Sequence, residues 1–210
     1  MLTLLVTDVL RDVWTYSLEN PGEFLAAFFG VLSVWYSRKN HILVYPTGII
    51  SVLLYVYICY MAKLYADAGL NFYYFIMSVI GWVNWSRKKE DDYVFPISYC
   101  SPKEWLSGTA VFLLTLVTLV SVLHHYTDSN TVIADSLVSA AAATAMWWMA
   151  RRKIESWYAW TVSNLVAIPL FYIKGLHFTV AQYILFLVLA IWGYFTWKNE
   201  WNKEHAYRKT

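Results

Sequence analysis

Apolar residues occupy this chain in long blocks, and charged residues fall between the blocks rather than inside them. Runs without any charge cover residues 42–62, 68–86, 105–126, 156–173 and 175–197. Each is close to the roughly 20 residues a helix needs to cross the hydrocarbon core of a bilayer. Two shorter runs, 24–37 and 136–150, reach that length once a polar first turn is added. The pattern predicts an all-α integral membrane protein with seven transmembrane helices. Composition strengthens this over a soluble helical core: 59% of the 210 residues are hydrophobic and 14% charged, where soluble domains carry about a quarter charged residues.

The basic residues are split unevenly across the connecting segments. Arg11, Lys63 and Lys174 fall on one side, and the other 13 of the 16 Lys and Arg on the opposite side, mainly at 38–39, 87–89, 151–153 and the C-terminal stretch. Short cytoplasmic loops carry the excess of positive charge. The N-terminus is therefore expected outside and the C-terminus in the cytoplasm, which requires an odd number of spans. The net charge of +2 reflects these flanks and gives no reason to expect nucleic acid as a partner. Asp8, Arg11, Asp12 and Glu19 interrupt the first 20 residues. A short interfacial segment over 1–20 fits them better than a cleavable signal peptide. Cys59, Cys100 and the five histidines are scattered without ligand spacing, so neither a metal nor a cofactor is expected.

The chain also resembles itself. "WYSRKN" (35–40) matches "WMARRK" (148–153) at an offset of 113, and "GWVNWSRK" (81–88) matches "GYFTWKNE" (193–200) at an offset of 112. Near that offset Glu23 falls on Asp135, so each half opens with a carboxylate. The expected plan is a 3+1+3 parallel repeat. A first three-helix bundle covers 21–86, a linking helix 105–126, a second bundle 131–197, and a cytoplasmic tail 198–210. Transporters are often built from such repeats, with the substrate site at their interface near the midplane.

Polar groups inside spans are costly unless they face a cavity or another helix. The intramembrane amides are Asn71, Asn84, Asn164 and Gln182. Interhelical hydrogen bonding and ligand contact are both open for each of them, with Asn84 assigned to the former. In "ESWYAWTVSN" (155–164), Trp157, Trp160 and Asn164 share one helical face. Trp105, Trp197 and Trp201 fit an interfacial belt, whereas Trp160, a turn deeper, does not. An indole face attracts cations and stacks on flat heteroaromatic rings. Glu23 and Asp135 sit at helix starts, where the dipole favours them, and also where they would draw a cation into an outer mouth. Pro46 and Pro169 are candidate kinks. No Walker motif, nucleophile elbow or zinc-protease signature is present, and no acid–base pair lies in a span. An enzyme is not expected.

These residues resemble the PnuC vitamin transporters, relatives of the SWEET facilitators. The resemblance covers nearly the whole chain after residue 20. It rests on the first-span acid, "LYADAGLNFYYFIMSVIGWVNWSRKK" (64–89), "ADSL" (134–137) and "RRKIESWYAWTVSN" (151–164). It implies facilitated diffusion of a water-soluble B vitamin across the bacterial inner membrane, trapped by a cytoplasmic kinase. It also implies a substrate site of Trp157, Trp160, Asn164 and the third-span amide, here Asn71 in place of the Gln of nicotinamide riboside carriers. Gln182 joins that site on the residue reading. Nicotinamide riboside is the leading substrate and thiamine the alternative, with a non-transporting scaffold the rival from another class. A homo-oligomer is compatible with all of these readings.

Overall fold

The computed structural model describes Thr15 and residues 18–89, 92–93, 95–128 and 130–207. Most of the expected interfacial segment 1–20 lies outside the described residues. Among the described residues there are seven long helices: α1 (Pro21–Arg38), α2 (Val44–Met61), α3 (Tyr65–Ser86), α4 (Pro102–Tyr126), α5 (Val132–Met149), α6 (Glu155–Ile173) and α7 (His177–Tyr207). Two paired two-residue strands, β1 (Lys88–Lys89) and β2 (Asp92–Tyr93), form a small hairpin after α3.

Local sequence explains the helix ends. Pro21 opens α1 where a missing N–H costs nothing, Glu23 lies in its first turn and Arg38 in its last. Ser101 and Glu104 form a reciprocal capping box that starts α4 at Pro102, three residues before the uncharged run. Pro46 falls in the first turn of α2 and so does not kink it, whereas Pro169 does sit inside α6. The 31 residues of α7 continue through Lys198, Glu200, Lys203 and Glu204 as far as Tyr207. The expected tail is therefore mostly helix, because those residues favour helix and repeat acids and bases at helical spacing.

Four of the helices (α2, α4, α5 and α7) are long and apolar enough to cross a membrane by length and composition. The surroundings are written on α4, where Leu106 and Leu114 are each 72% exposed. A continuous apolar surface of that kind suits lipid rather than water.

Packing follows a cycle. Helix α1 packs on α2, α2 on α3, α3 on α5, α5 on α6, α6 on α7, and α7 back on α1, while α4 lies outside against α5. Around this ring α2 faces α6, α1 faces α5 and α3 faces α7.

Specific contacts recur at an offset of 112 residues, the separation of Ser37 and Met149. Ser51 Oγ donates to Ala26 O at 2.7 Å, and Ser163 Oγ to Val138 O at 2.9 Å. Trp85 Nε1 donates to Met149 O at 3.2 Å, and Trp197 Nε1 to Ser37 O at 3.0 Å. The left-handed residues Asn40 (φ 51°) and Arg152 (φ 53°) correspond, as do Lys63 (φ 60°) and Gly175 (φ 73°). The offset of 113 for the first matched motif is thereby corrected. Trp35 pairs with Trp147, since Lys39 lies over Trp35 at 5.1 Å and Arg151 over Trp147 at 3.7 Å. The sequence match at 113 aligned one indole with its neighbour, which lies on a different face of the helix.

Candidate functional site

The expected site residues divide by depth. Trp157 begins α6 and is wedged against α7. Its ring meets Trp197 edge-on at 5.4 Å, and a Cβ on Gly193 would lie 2.6 Å from it. Tyr45 does the same on α2, meeting Trp85 edge-on at 5.2 Å over Gly81. Tyr45 stands 112 residues before Trp157, the separation seen between Ser37 and Met149. Because both halves build this contact, it belongs to the shared packing of the fold. Trp197 is expected in an interfacial belt but is fully buried. Its N–H is used by Ser37 O, which an indole in a belt would offer to headgroups or water.

Trp160 and Asn164 are different. At the same offset their partners are Gly48 and Val52, so the repeat is broken where an indole and an amide enter. Trp160 is half-buried and packs on the aromatic core. Asn164 is 2% exposed. Its carboxamide is not among the fully buried side-chain groups left without a partner, which include the Tyr45 hydroxyl and the Trp157 N–H. Seven residues beyond Trp157, it lies about 10 Å higher along α6.

The other two amides are not joined to this pair by any hydrogen bond among the described residues. Asn71 donates back to Asp67 O within its own helix at 2.9 Å. Gln182 interacts with Tyr55 of α2 and borders an open cleft of about 270 Å³ between α1 and α7, lined otherwise by apolar residues such as Phe24, Phe28, Phe178 and Leu185. Asn84 bridges helices as expected, donating to the O of Ala150, the C-cap of α5, at 3.1 Å. Tyr73 strengthens the same seam by donating to Ala143 O at 3.0 Å.

The acidic end carries more than the two expected carboxylates. Glu23 and Asp135 lie in the first turns of α1 and α5, and Asp67 in that of α3. Asp135 is already paired: Lys174 Nζ reaches its two oxygens at 2.7 and 2.9 Å, and Thr131 Oγ1 donates to it at 2.7 Å. Lys174 was the missed member, and its position as the lone charge between two spans was the available signal. At the opposite end, the segment before α4 is clipped to the turn before α6. Glu155 accepts the Cys100 N–H on both oxygens at 3.0 Å, and Lys153 pairs with Glu104 at 2.9 Å. Burial pushes the Cys100 thiol up, reinforced by the charge of Glu155. For Glu104, burial works upward, but the Ser101 N–H and the Lys153 ammonium outweigh it and hold the carboxyl below its ordinary value.

Long helices with a lipid-suited exterior, whose contacts recur at an offset of 112 residues, are those of an integral membrane protein, and the family that the chain matches makes it a transporter. The chain belongs to the nicotinamide mononucleotide transporter family, whose model matches residues 20–199. It is 23% identical over 202 residues to the nicotinamide riboside transporter PnuC of Escherichia coli (strain K12), covering 84% of each chain. To the PnuC of Neisseria mucosa it is 25% identical over 193 residues, covering 85% of this chain and 73% of that one. The riboflavin/roseoflavin transporter RibM of Streptomyces davaonensis is 21% identical over 182 residues, covering 84% of each. The crystal structure of the vitamin B3 transporter PnuC has the same fold, with a TM-score of 0.68 and 24% identity over 94% of this chain and 90% of that one. The resemblance to PnuC transporters drawn from the sequence is thus borne out, and with it an activity of transport rather than catalysis.

Proposed function

We propose that this transporter carries nicotinamide riboside across the bacterial inner membrane by facilitated diffusion, with a cytoplasmic kinase trapping the vitamin. All seven helices span, as two parallel three-helix bundles joined by α4, with the N-terminus outside and the C-terminus in the cytoplasm. The path runs through the middle of the ring, between α2 and α6.

The observation that carries this reading is the pair Trp160 and Asn164. They depart from the repeat at one level of the ring, placing an indole and an amide where the other half has Gly48 and Val52. A flat cationic heterocycle suits both: the indole face attracts the charged ring, and the amide pairs with a polar substituent. Curated relatives named as nicotinamide riboside transporters support the choice of vitamin. Thiamine, also a flat cation, is the alternative, and Asn71 in the third helix is the departure that bears on it. Trp157 takes the part of a support beneath Trp160. Glu23 and the paired Asp135 tune the field at the outer mouth, and Gln182 lies at its α1–α7 side.

Titration of the purified protein with nicotinamide riboside, thiamine and riboflavin, followed by tryptophan fluorescence, tests the assignment. Saturable quenching by nicotinamide riboside at the lowest concentration is expected. Tighter binding of thiamine or riboflavin overturns the substrate while leaving the site.

A further inference from the structure

We propose that the ring is closed at its basic end by a floor of four aromatic side chains, Tyr45, Trp85, Trp197 and Trp157, and that this floor is the gate which must part for release on that side. The proposal rests on the reading that the path runs through the ring. The rings touch in series: Tyr45 with Trp85 at 5.2 Å, Trp85 with Trp197 at 5.7 Å, Trp197 with Trp157 at 5.4 Å. None of the four is more than 2% exposed.

The middle contact decides the matter. Trp85 belongs to α3 and Trp197 to α7, which are not neighbours in the ring but face one another across it. Two indoles in contact there leave no opening between them. A second crossing lies beside the first, where Ser37 Oγ of α1 meets Met149 Sδ of α5 at 3.1 Å. Those helices also face each other across the ring. Each central indole hangs from the other half: Trp85 donates to Met149 O and Trp197 to Ser37 O. Relative movement of the halves therefore strains both bonds together.

The floor is built to open. Gly81 and Gly193 seat the Tyr45 and Trp157 rings without a Cβ, so the rings can slide over bare backbone. The Tyr45 hydroxyl and the Trp157 N–H are buried without a hydrogen-bond partner among the described residues. Closing leaves these groups unsatisfied and opening gives them water, which keeps the closed state from becoming a trap. Trp160 packs on the floor residues and Asn164 lies one turn further along α6, so a bound vitamin would rest on the floor.

The test joins the second crossing covalently. Ser37→Cys and Met149→Cys are combined in a chain whose native thiols are removed by Cys59→Ser and Cys100→Ser. Oxidation should form the cross-link. Uptake of nicotinamide riboside into vesicles should fall at least tenfold and return on reduction, while binding from the acidic side stays within threefold. The single-cysteine variants, which cannot cross-link, must keep their rate under the oxidant. Failure of the pair to cross-link, or an unchanged rate in the cross-linked protein, overturns the gate. A second readout needs no vitamin. With Asn164→Cys added, an impermeant thiol reagent from the basic side should modify residue 164 only after reduction, as read by peptide mass spectrometry. A parent protein that carries no nicotinamide riboside refutes the substrate, and the labelling still decides the gate: equal modification before and after reduction overturns it.

Discussion

Trp160 and Asn164 are asked to do different work, so their substitutions should fail differently. Trp160→Ala removes a stacking face and should cost about 2 kcal/mol, or roughly thirtyfold in affinity, by the strength of a desolvated cation–π contact. Trp160→Phe keeps a weaker face and should lose less. Asn164→Leu leaves the ligand's polar group unpaired, a penalty of about 1–3 kcal/mol, while yield should hold because Leu suits a span. Binding isotherms and thermal melts of the three variants check this. Unchanged affinity in both Trp160→Ala and Asn164→Leu would falsify the site. Trp157 is separated from them by its twin, Tyr45, which shows that its packing is a property of the fold.

Among the elements, α4 is the one outside the ring, and its attachment depends on a single small residue. Gly108 lies against the Trp148 indole of α5, and any Cβ there would overlap that ring. Trp148 Nε1 also donates to Glu104 O of α4 at 3.1 Å, so the ring cannot simply swing aside. Gly108→Ala should destabilise the protein by about 1–3 kcal/mol, the usual cost of overpacking. Gly69, in α3, has nothing within 4 Å of such a Cβ. Gly69→Ala should therefore be neutral or stabilising by about 0.4–1 kcal/mol, through the unfolded chain. Thermal unfolding in detergent separates the two, and similar shifts for both would show that α4 docks differently.

At the scale of the whole molecule, orientation and driving force can each be tested. A reporter active only in the cytoplasm should be active when fused after Thr210, and a cysteine at Asn130 should label from outside. A periplasmic C-terminus would overturn the orientation and the odd span count together. The sequence carries no Walker motif, and the Asp135–Lys174 pair sits at the acidic end rather than midway along the spans, so vesicles should equilibrate the vitamin and stop. Accumulation driven by a proton or sodium gradient, without a kinase, would refute plain facilitation.

The helices and their solvent were legible in the sequence, because a run of 20 uncharged residues has one stable arrangement in a bilayer, with every backbone group bonded within the helix. The family was legible too, carried by the motif around Trp157, Trp160 and Asn164. Helix limits set by capping and propensity, such as the start of α4 at Pro102 and the run of α7 past Lys198, lay beyond what hydropathy alone resolves. The relation between the halves was visible as a repeat, but its register was misread by one residue at Trp35, since adjacent tryptophans give two nearly equal matches. Only the tertiary structure decided that Trp197 is buried and not in a belt, that Asp135 is held by Lys174, and that Trp157 packs edge-on against Trp197. Burial at those positions depends on which helices face one another across the ring. That is a matter of long-range packing, and no local pattern along one helix encodes it.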